Sequence, residues 1–378
     1  MPKQKTALVL SGGGARAAYQ VGVLRAIAEV LPKKSPLPFE IVSGTSAGSL
    51  NAAGLAAHAH NFQLGINSLS RVWANLSSEQ VFKTRIIDFL GTILDSFGSG
   101  GDKKKRSSFA LLNNEPLAHL LEQVVNFKKV GRAIDSGLIS TLCINATSYQ
   151  TGRSICFYQG RAPEVDRPNP RRAYVPTSIA VDHLLASSAI PFLFPARQIN
   201  GHFFSDGAIG QTAPLSSSIN FGADRLVVIG VSDEKNVTEV YEEDTPAPSI
   251  AKIFSHVMNS AFLDTFRTDI TRLERINEAL SFAKAHHLDP SELDTPYRSI
   301  PLLNIFPSQS LTQMANEFRE ALPHSMKSLG KFAGGSKGSG DSALSYLLFE
   351  NEYTGKLMEL GYHDAMMQEA HIIDFFKS

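Results

Sequence analysis

Two apolar runs, each followed by a tight glycine-containing turn and then by a helical pattern, fill the first sixty residues and constrain the fold more than anything else in the chain. Ala7-Leu8-Val9-Leu10 runs into Ser11-Gly12-Gly13-Gly14, and residues 15–31 then take up helical spacing. After the breaker-rich residues 32–38, residues 39–43 form a second short strand, and the alanine-rich residues 47–60 read as a helix that begins just past Ser46. Short strands without polar alternation are the kind buried on both faces. A β-α-β-α order built from them predicts an α/β fold, a mainly parallel sheet sandwiched by helices.

Residues 61–137 read as mostly helical, interrupted by a loop over the Gly/Ser/Lys-rich residues 97–108. Residues 138–148 and 154–159 read as a hairpin or adjacent strands, residues 163–176 as a proline-rich loop and residues 179–188 as a helix. Phe203-Phe204-Ser205 is a brief strand that delivers Asp206 and Gly207 to a turn. A strand follows at residues 225–231, then one or two amphipathic helices over 249–287, and a late strand at 301–306 that rejoins the sheet. The Gly/Ser-rich residues 334–342 lead to a last helical segment holding Tyr346-Leu347-Leu348-Phe349. The expected organisation is a catalytic domain over 6–232 and a mostly helical C-terminal extension over 233–378 packed on the same domain.

Lysine plus arginine equals aspartate plus glutamate, 36 each, so no global charge draws the chain to nucleic acid, and no such partner is expected. Cys143 and Cys156 are too few for a disulfide framework and lack metal-ligand or redox spacing, so they read as buried thiols in an intracellular chain. The apolar run at 7–10 is too short for a signal-peptide core, and no run is long enough to cross a bilayer. The expectation is a cytoplasmic protein whose membrane contact is at most peripheral. Oligomeric state is not legible.

Gly44-Thr45-Ser46-Ala47-Gly48 lies between a strand and a helix, the setting in which G-x-S-x-G makes a sharp elbow presenting a serine hydroxyl. The same five residues would also make a plain turn with a serine cap; the position after an apolar strand favours the nucleophile. Gly12, Gly13 and Gly14 offer backbone N–H groups with no side chains in the way, which suits an oxyanion site. The run Gly12 to Ala17 also fits the dinucleotide pattern G-x-G-x-x-G/A. That reading requires an acidic residue at the end of the next strand, and the serine elbow stands there instead. An ordinary α/β-hydrolase shares the elbow, but its nucleophile follows several strands and its triad closes on a late histidine.

Three blocks in order, the glycine-rich 12–17, the elbow 44–48 and Asp206-Gly207-Ala208, resemble the patatin-like phospholipases over about residues 6–232. The tail, with Ser345 to Phe349 and Leu360-Gly361-Tyr362, is similar to bacterial members. The resemblance implies acyl-ester hydrolysis on lipids by a Ser-Asp dyad, with no histidine, no cofactor and no metal. Carried over by position, Ser46 is the nucleophile, Asp206 its base, and Gly12, Gly13 and Gly14 the oxyanion donors. Arg16, Gly44, Gly48 and Gly207 support them. Ala17 departs from the glycine common in the family, with modest consequence expected.

Asp-Gly is also a common turn dipeptide, and a carboxylate deprotonates serine usefully only where burial raises its proton affinity. The apolar residues 190–195 and Phe203-Phe204 could supply such surroundings, and residues 190–195 could equally line an acyl pocket or belong to the core. His183 and His202 read as packed residues rather than triad members, and Lys103 to Arg106 as a solvated loop or a contact for anionic headgroups. The function expected is therefore lipid acyl hydrolysis, with a catalytically silent lipid-binding protein of the same fold as the alternative.

Overall fold

The structure is a computed structural model describing residues 4–84, 110–165, 169–232, 265–287, 297–321 and 341–377, with isolated positions between 233 and 264. Eleven strands are described: β1 (Thr6–Leu10), β2 (Ile41–Thr45), β3 (Lys83–Thr84), β4 (Leu112–Asn113), β5 (Thr141–Ser148), β6 (Ser154–Gly160), β7 (Arg172–Pro176), β8 (Arg197–Ile199), β9 (His202–Asp206), β10 (Arg225–Ile229) and β11 (Leu302–Ile305). The central sheet runs β11-β10-β1-β2-β5-β6-β7, parallel from β11 to β5, and β3 pairs β4 in a separate ribbon.

Alternation along the parallel strands explains why both faces are covered. Leu8 and Leu10 of β1 enter one apolar core while Ala7 and Val9 enter the other, and β10 divides the same way, Val227 and Ile229 against Leu226 and Val228. On the first face lie α1 (Ala18–Val30), α2 (Ala47–Ala56) and α3 (Phe62–Ala74). On the second, Leu215 of the helix Pro214–Asn220 and Phe266, Ile270 and Leu273 of the helix Thr265–Ala285 close the core.

The chain after residue 232 contributes β11, which extends the sheet beside β10, and the helix Asn351–Met366, which packs along α1. That crossing is close: a Cβ on Gly22 would lie 2.0 Å from the Met358 carbonyl oxygen, and one on Gly361 would lie 2.1 Å from that of Tyr19. Each glycine lets the other helix's backbone in.

Several local expectations shift. The second strand starts at Ile41, because Phe39 turns into the core instead, edge-on to Phe62 and Phe376. The proline-rich 163–176 contains β7, which pairs parallel with β6 and ends at Pro176, where a missing N–H costs no central ladder bond. The helix after Ser46 stops at Ala56 rather than His60. Cys143 and Cys156, expected as separate thiols, are joined as a disulfide between β5 and β6, whose antiparallel pairing brings the two buried positions together. The expected loop 97–108, the Lys103 to Arg106 cluster and residues 334–340 lie outside the described residues.

Candidate active site

Strand pairing brings Ser46 and Asp206 together. Along β5, β2 pairs as far as Thr45 opposite Asn145, and β9, running antiparallel, takes over the edge with Asp206 opposite Ala146. The opposite edge of β5 is already occupied by β6. The residue after β2 and the last residue of β9 therefore meet end to end.

Ser46 adopts φ 53° and ψ −130°, a conformation that costs a non-glycine residue roughly 1–3 kcal/mol and persists only where its surroundings enforce it. They do so here. The Ser46 N–H donates to Ser187 Oγ at 2.8 Å, the Ser187 hydroxyl donates to the Asn145 carbonyl at 2.6 Å, and the Ser49 hydroxyl donates to the Ser46 carbonyl at 2.6 Å. Gly48 has no room for a side chain, since a Cβ would stand 2.4 Å from the Ser11 carbonyl oxygen at the end of β1. Gly44 is equally closed, 2.5 Å from the Gly48 carbonyl oxygen. Ser46 also stands at the N-terminus of α2, where the helix dipole favours negative charge.

Asp206 is fully buried. Its Oδ1 accepts from the Ala208 N–H at 2.9 Å, capping the short turn Gly207–Gly210, while Oδ2 closes no hydrogen bond. Burial pushes the carboxyl from 3.8 up to about 7; the neighbouring Ser46 hydroxyl and the Ala208 N–H pull the other way by favouring the ionised form. The Ser46 hydroxyl thus stands close enough to favour the ionised carboxylate as a hydrogen-bonding neighbour, although Oδ2 closes no bond in this geometry. The Asp206 backbone is pinned by its N–H to Ala189 and by the Thr147 hydroxyl to its carbonyl, each 2.9 Å. Gly207 is wedged against Asn145, whose carbonyl oxygen a Cβ would approach to 2.2 Å.

Gly12, Gly13 and Gly14 are all buried, and Gly14, at φ 56°, starts the 3-10 turn Gly14–Ala17. Gly14 and Ser46 line an apolar cavity whose wall also includes Leu50, Leu69, Val72, Trp73 and Leu121. Ile190 and Phe194 of the apolar 190–195 segment join that wall, whereas Phe192 is 66% exposed. Arg16 is buried away from bulk water, bonded to Ser345 and Thr312.

His183 accepts from the Ala180 N–H at Nδ1 and meets Thr177 at Nε2, packs on Phe157, and is held neutral to lower pH by burial. His202 is exposed at the start of β9. Among the described residues no group of three His, Cys, Asp or Glu side chains could hold a metal, and no described helix is long and apolar enough to cross a membrane.

Residues 8–219 match the family model described as patatin-like phospholipase, a span that includes the glycine run, the elbow and Asp206. The chain belongs to the patatin-like phospholipase family. A cGAMP-activated phospholipase of Pseudomonas aeruginosa is 29% identical over 207 residues, 55% of this chain and 53% of that protein. Another of the same description from Escherichia coli is 24% identical over 216 residues, 55% of this chain and 52% of that protein. The chain thus spans about half the length of the curated relatives it matches first. Among solved structures, human GIVD cytosolic phospholipase A2 aligns with TM-score 0.45 at 11% identity, covering 99% of this chain and 60% of that one. VipD from Legionella pneumophila aligns at 0.36 and 15% identity, covering 99% and 67%.

Within this patatin-like site, the residues that sequence reasoning passed over are the ones that hold the named residues in place. Asn145 Nδ2 donates toward Gly44 O at 3.2 Å and Thr45 Oγ1 at 3.2 Å, and the Thr45 hydroxyl donates to Gln211 at 3.0 Å. A polar Asn inside the otherwise apolar Leu142 to Ala146 was the available signal. Ser187 and Thr147 sit in unremarkable helix and strand sequence and gave none.

Proposed function

We propose that this patatin-like chain is a lipid acyl hydrolase that releases fatty acid from phospholipid or lysophospholipid esters through Ser46 and Asp206. The observation that carries the reading is a strained serine that lines an apolar cavity and stands beside a wholly buried carboxylate of raised proton affinity. Ionised Asp206 accepts the Ser46 proton as Oγ bonds to the ester carbonyl carbon. Negative charge on the carbonyl oxygen is stabilised by glycine-loop amides and the N-terminus of α2. The intermediate collapses by breaking the ester C–O bond, with Asp206 returning the proton to the departing alcohol. Water then gives its proton to Asp206 and its oxygen to the acyl carbon, and the proton goes back to Ser46 as the fatty acid leaves. The cavity takes the acyl chain, and peripheral contact with a lipid surface supplies substrate.

The test is fatty-acid release from mixed phospholipid micelles and hydrolysis of a short chromogenic ester by the wild type, Ser46→Ala and Asp206→Asn, all shown to be folded. Both variants are expected to lose activity by roughly 10³ or more, in line with removal of nucleophilic and base catalysis. A wild type inert on every ester, or a Ser46→Ala protein that keeps its rate, overturns the reading in favour of a catalytically silent lipid-binding protein.

A further inference from the structure

The patatin-like match ends at residue 219, yet the glycine loop rests on residues near the end of the chain. A Cβ on Gly14 would lie 2.1 Å from the Tyr346 carbonyl oxygen, so the backbone of Tyr346 backs directly onto the loop residue that borders the cavity beside Ser46. Two residues on, Arg16 is wholly buried. Its Nε donates to Ser345 Oγ at 2.8 Å, Nη2 donates to Thr312 Oγ1 at 2.8 Å, and the guanidinium carbon stands 4.3 Å from the centroid of the Tyr346 ring. A buried cation is tolerated only where such partners replace water, so these contacts dictate where Arg16 sits. Its backbone N–H in turn bonds Gly13 O at 3.2 Å, which ties the glycine turn to the guanidinium's seat.

The same segment is held from its other side. Leu347 and Phe349 line the cavity with Tyr346, and the Phe349 ring stacks on Trp73 with centroids 6.3 Å apart. Ser46 is anchored by a different set, Ser187, Ser49 and Asn145.

We propose that residues 345–349 are a working part of the active site, with Tyr346 the positioning residue that keeps the glycine loop in its oxyanion-binding shape through Gly14 and Arg16. The oxyanion role rests on the hydrolase reading above; the holding of the loop does not. One sheet edge sets the nucleophile and base, and a separate C-terminal brace sets the loop that stabilises the transition state.

The experiment compares the wild type with Tyr346→Ala and Tyr346→Phe in the full chain, by kinetics on a short-chain ester and by amide hydrogen exchange. Tyr346→Ala is expected to lower kcat about 10- to 100-fold, short of outright removal of an oxyanion donor, with KM changed by no more than about twofold. The midpoint of its pH–rate profile stays that of the wild type, because Asp206 is untouched. Exchange over residues 11–17 speeds up while residues 41–49 keep their protection. Tyr346→Phe, which retains the ring face, recovers most of the rate and the protection. Should Tyr346→Ala not fold, Ser345→Ala combined with Thr312→Ala removes two of the Arg16 bonds and is expected to act in the same direction. An unchanged kcat, a phenylalanine variant as impaired as the alanine one, or unchanged exchange over 11–17 overturns the proposal. A wild type inert on all esters overturns the hydrolase reading instead, and the exchange measurement then decides by itself whether the segment holds the loop.

Discussion

Thr45 and Asp206 are successive partners along one edge of β5, opposite Asn145 and Ala146, so the end of a parallel strand and the end of an antiparallel one share a single sheet edge. A serine placed one residue beyond the first strand is thereby delivered to a carboxylate placed last on the second. No loop conformation has to be recruited to bring the pair together, and a site built on paired strands is more exactly held than one built on loops.

The first consequence is a pH profile. With the Asp206 carboxyl pushed up to about 7, the base of the proposed mechanism would be protonated and idle below that pH and ionised above it. The ester kcat/KM is expected to rise as pH increases from 5 to 8, with a midpoint near 7, and to level off beyond. Stopped assays across that range check it. A midpoint near 4 would mean that Asp206 is solvated or is not the base.

Folding stability carries the opposite sign. The carboxyl binds its proton more tightly in the folded protein, near 7, than in the unfolded chain, near 3.8, so the folded state is penalised progressively as pH rises through that interval. Replacing the carboxylate by a neutral amide removes the penalty. Asp206→Asn is expected to match the wild type below pH 4 and to exceed it by roughly 4 kcal/mol or less at pH 8, on a conversion of about 1.4 kcal/mol per unit. Urea unfolding at the two pH values measures the difference. Equal stability of the two proteins at pH 8 would show that burial costs the carboxylate little.

How far this could be read in advance follows from which interactions are local. Strand β1 with its glycine turn, and β2 with the elbow around Ser46, are each contiguous in the chain, and their apolar runs and small residues carried the signal. Local pattern showed Asp206 only as a turn dipeptide, and its role came from the resemblance, because its surroundings are built by Thr147 on the paired strand β5 and by Ala189 after the helix Val181–Ser187. Strand β7 was hidden by prolines that precede it or end it rather than interrupt it. The contact of Tyr346 with Gly14 left no trace in any local pattern, since it is a backbone approach between distant segments.

The cavity wall offers control of chain length. A side chain at Gly54, which lines the cavity on α2, would bring its Cβ to 2.7 Å from Leu69 Cδ2, the flexible end of another wall residue, so the pair would fill the space between them. Gly54→Val is expected to lower kcat/KM for long-chain esters by about tenfold or more relative to short-chain ones, the range a lost or added methylene commands in an apolar pocket. Competition between a four-carbon and a sixteen-carbon ester measures the ratio. An unchanged ratio would place the acyl chain elsewhere.

Two glycines of one helix should respond to alanine with opposite signs. In Asn351–Met366, Gly355 has nothing within 4 Å of where a Cβ would stand, whereas Gly361 would drive its Cβ to 2.1 Å from the Tyr19 carbonyl oxygen on α1. Gly355→Ala gains helix propensity at no steric expense and is expected to stabilise by about 0.5–1 kcal/mol. Gly361→Ala gains the same propensity but forces α1 and its partner apart, and overpacking of this kind costs roughly 1–3 kcal/mol. Net destabilisation is the expected outcome, read by chemical unfolding of the two variants beside the wild type. Because the start of α1 carries the glycine loop and Arg16, a Gly361→Ala protein that stays folded should also lose part of its kcat, while Gly355→Ala should not.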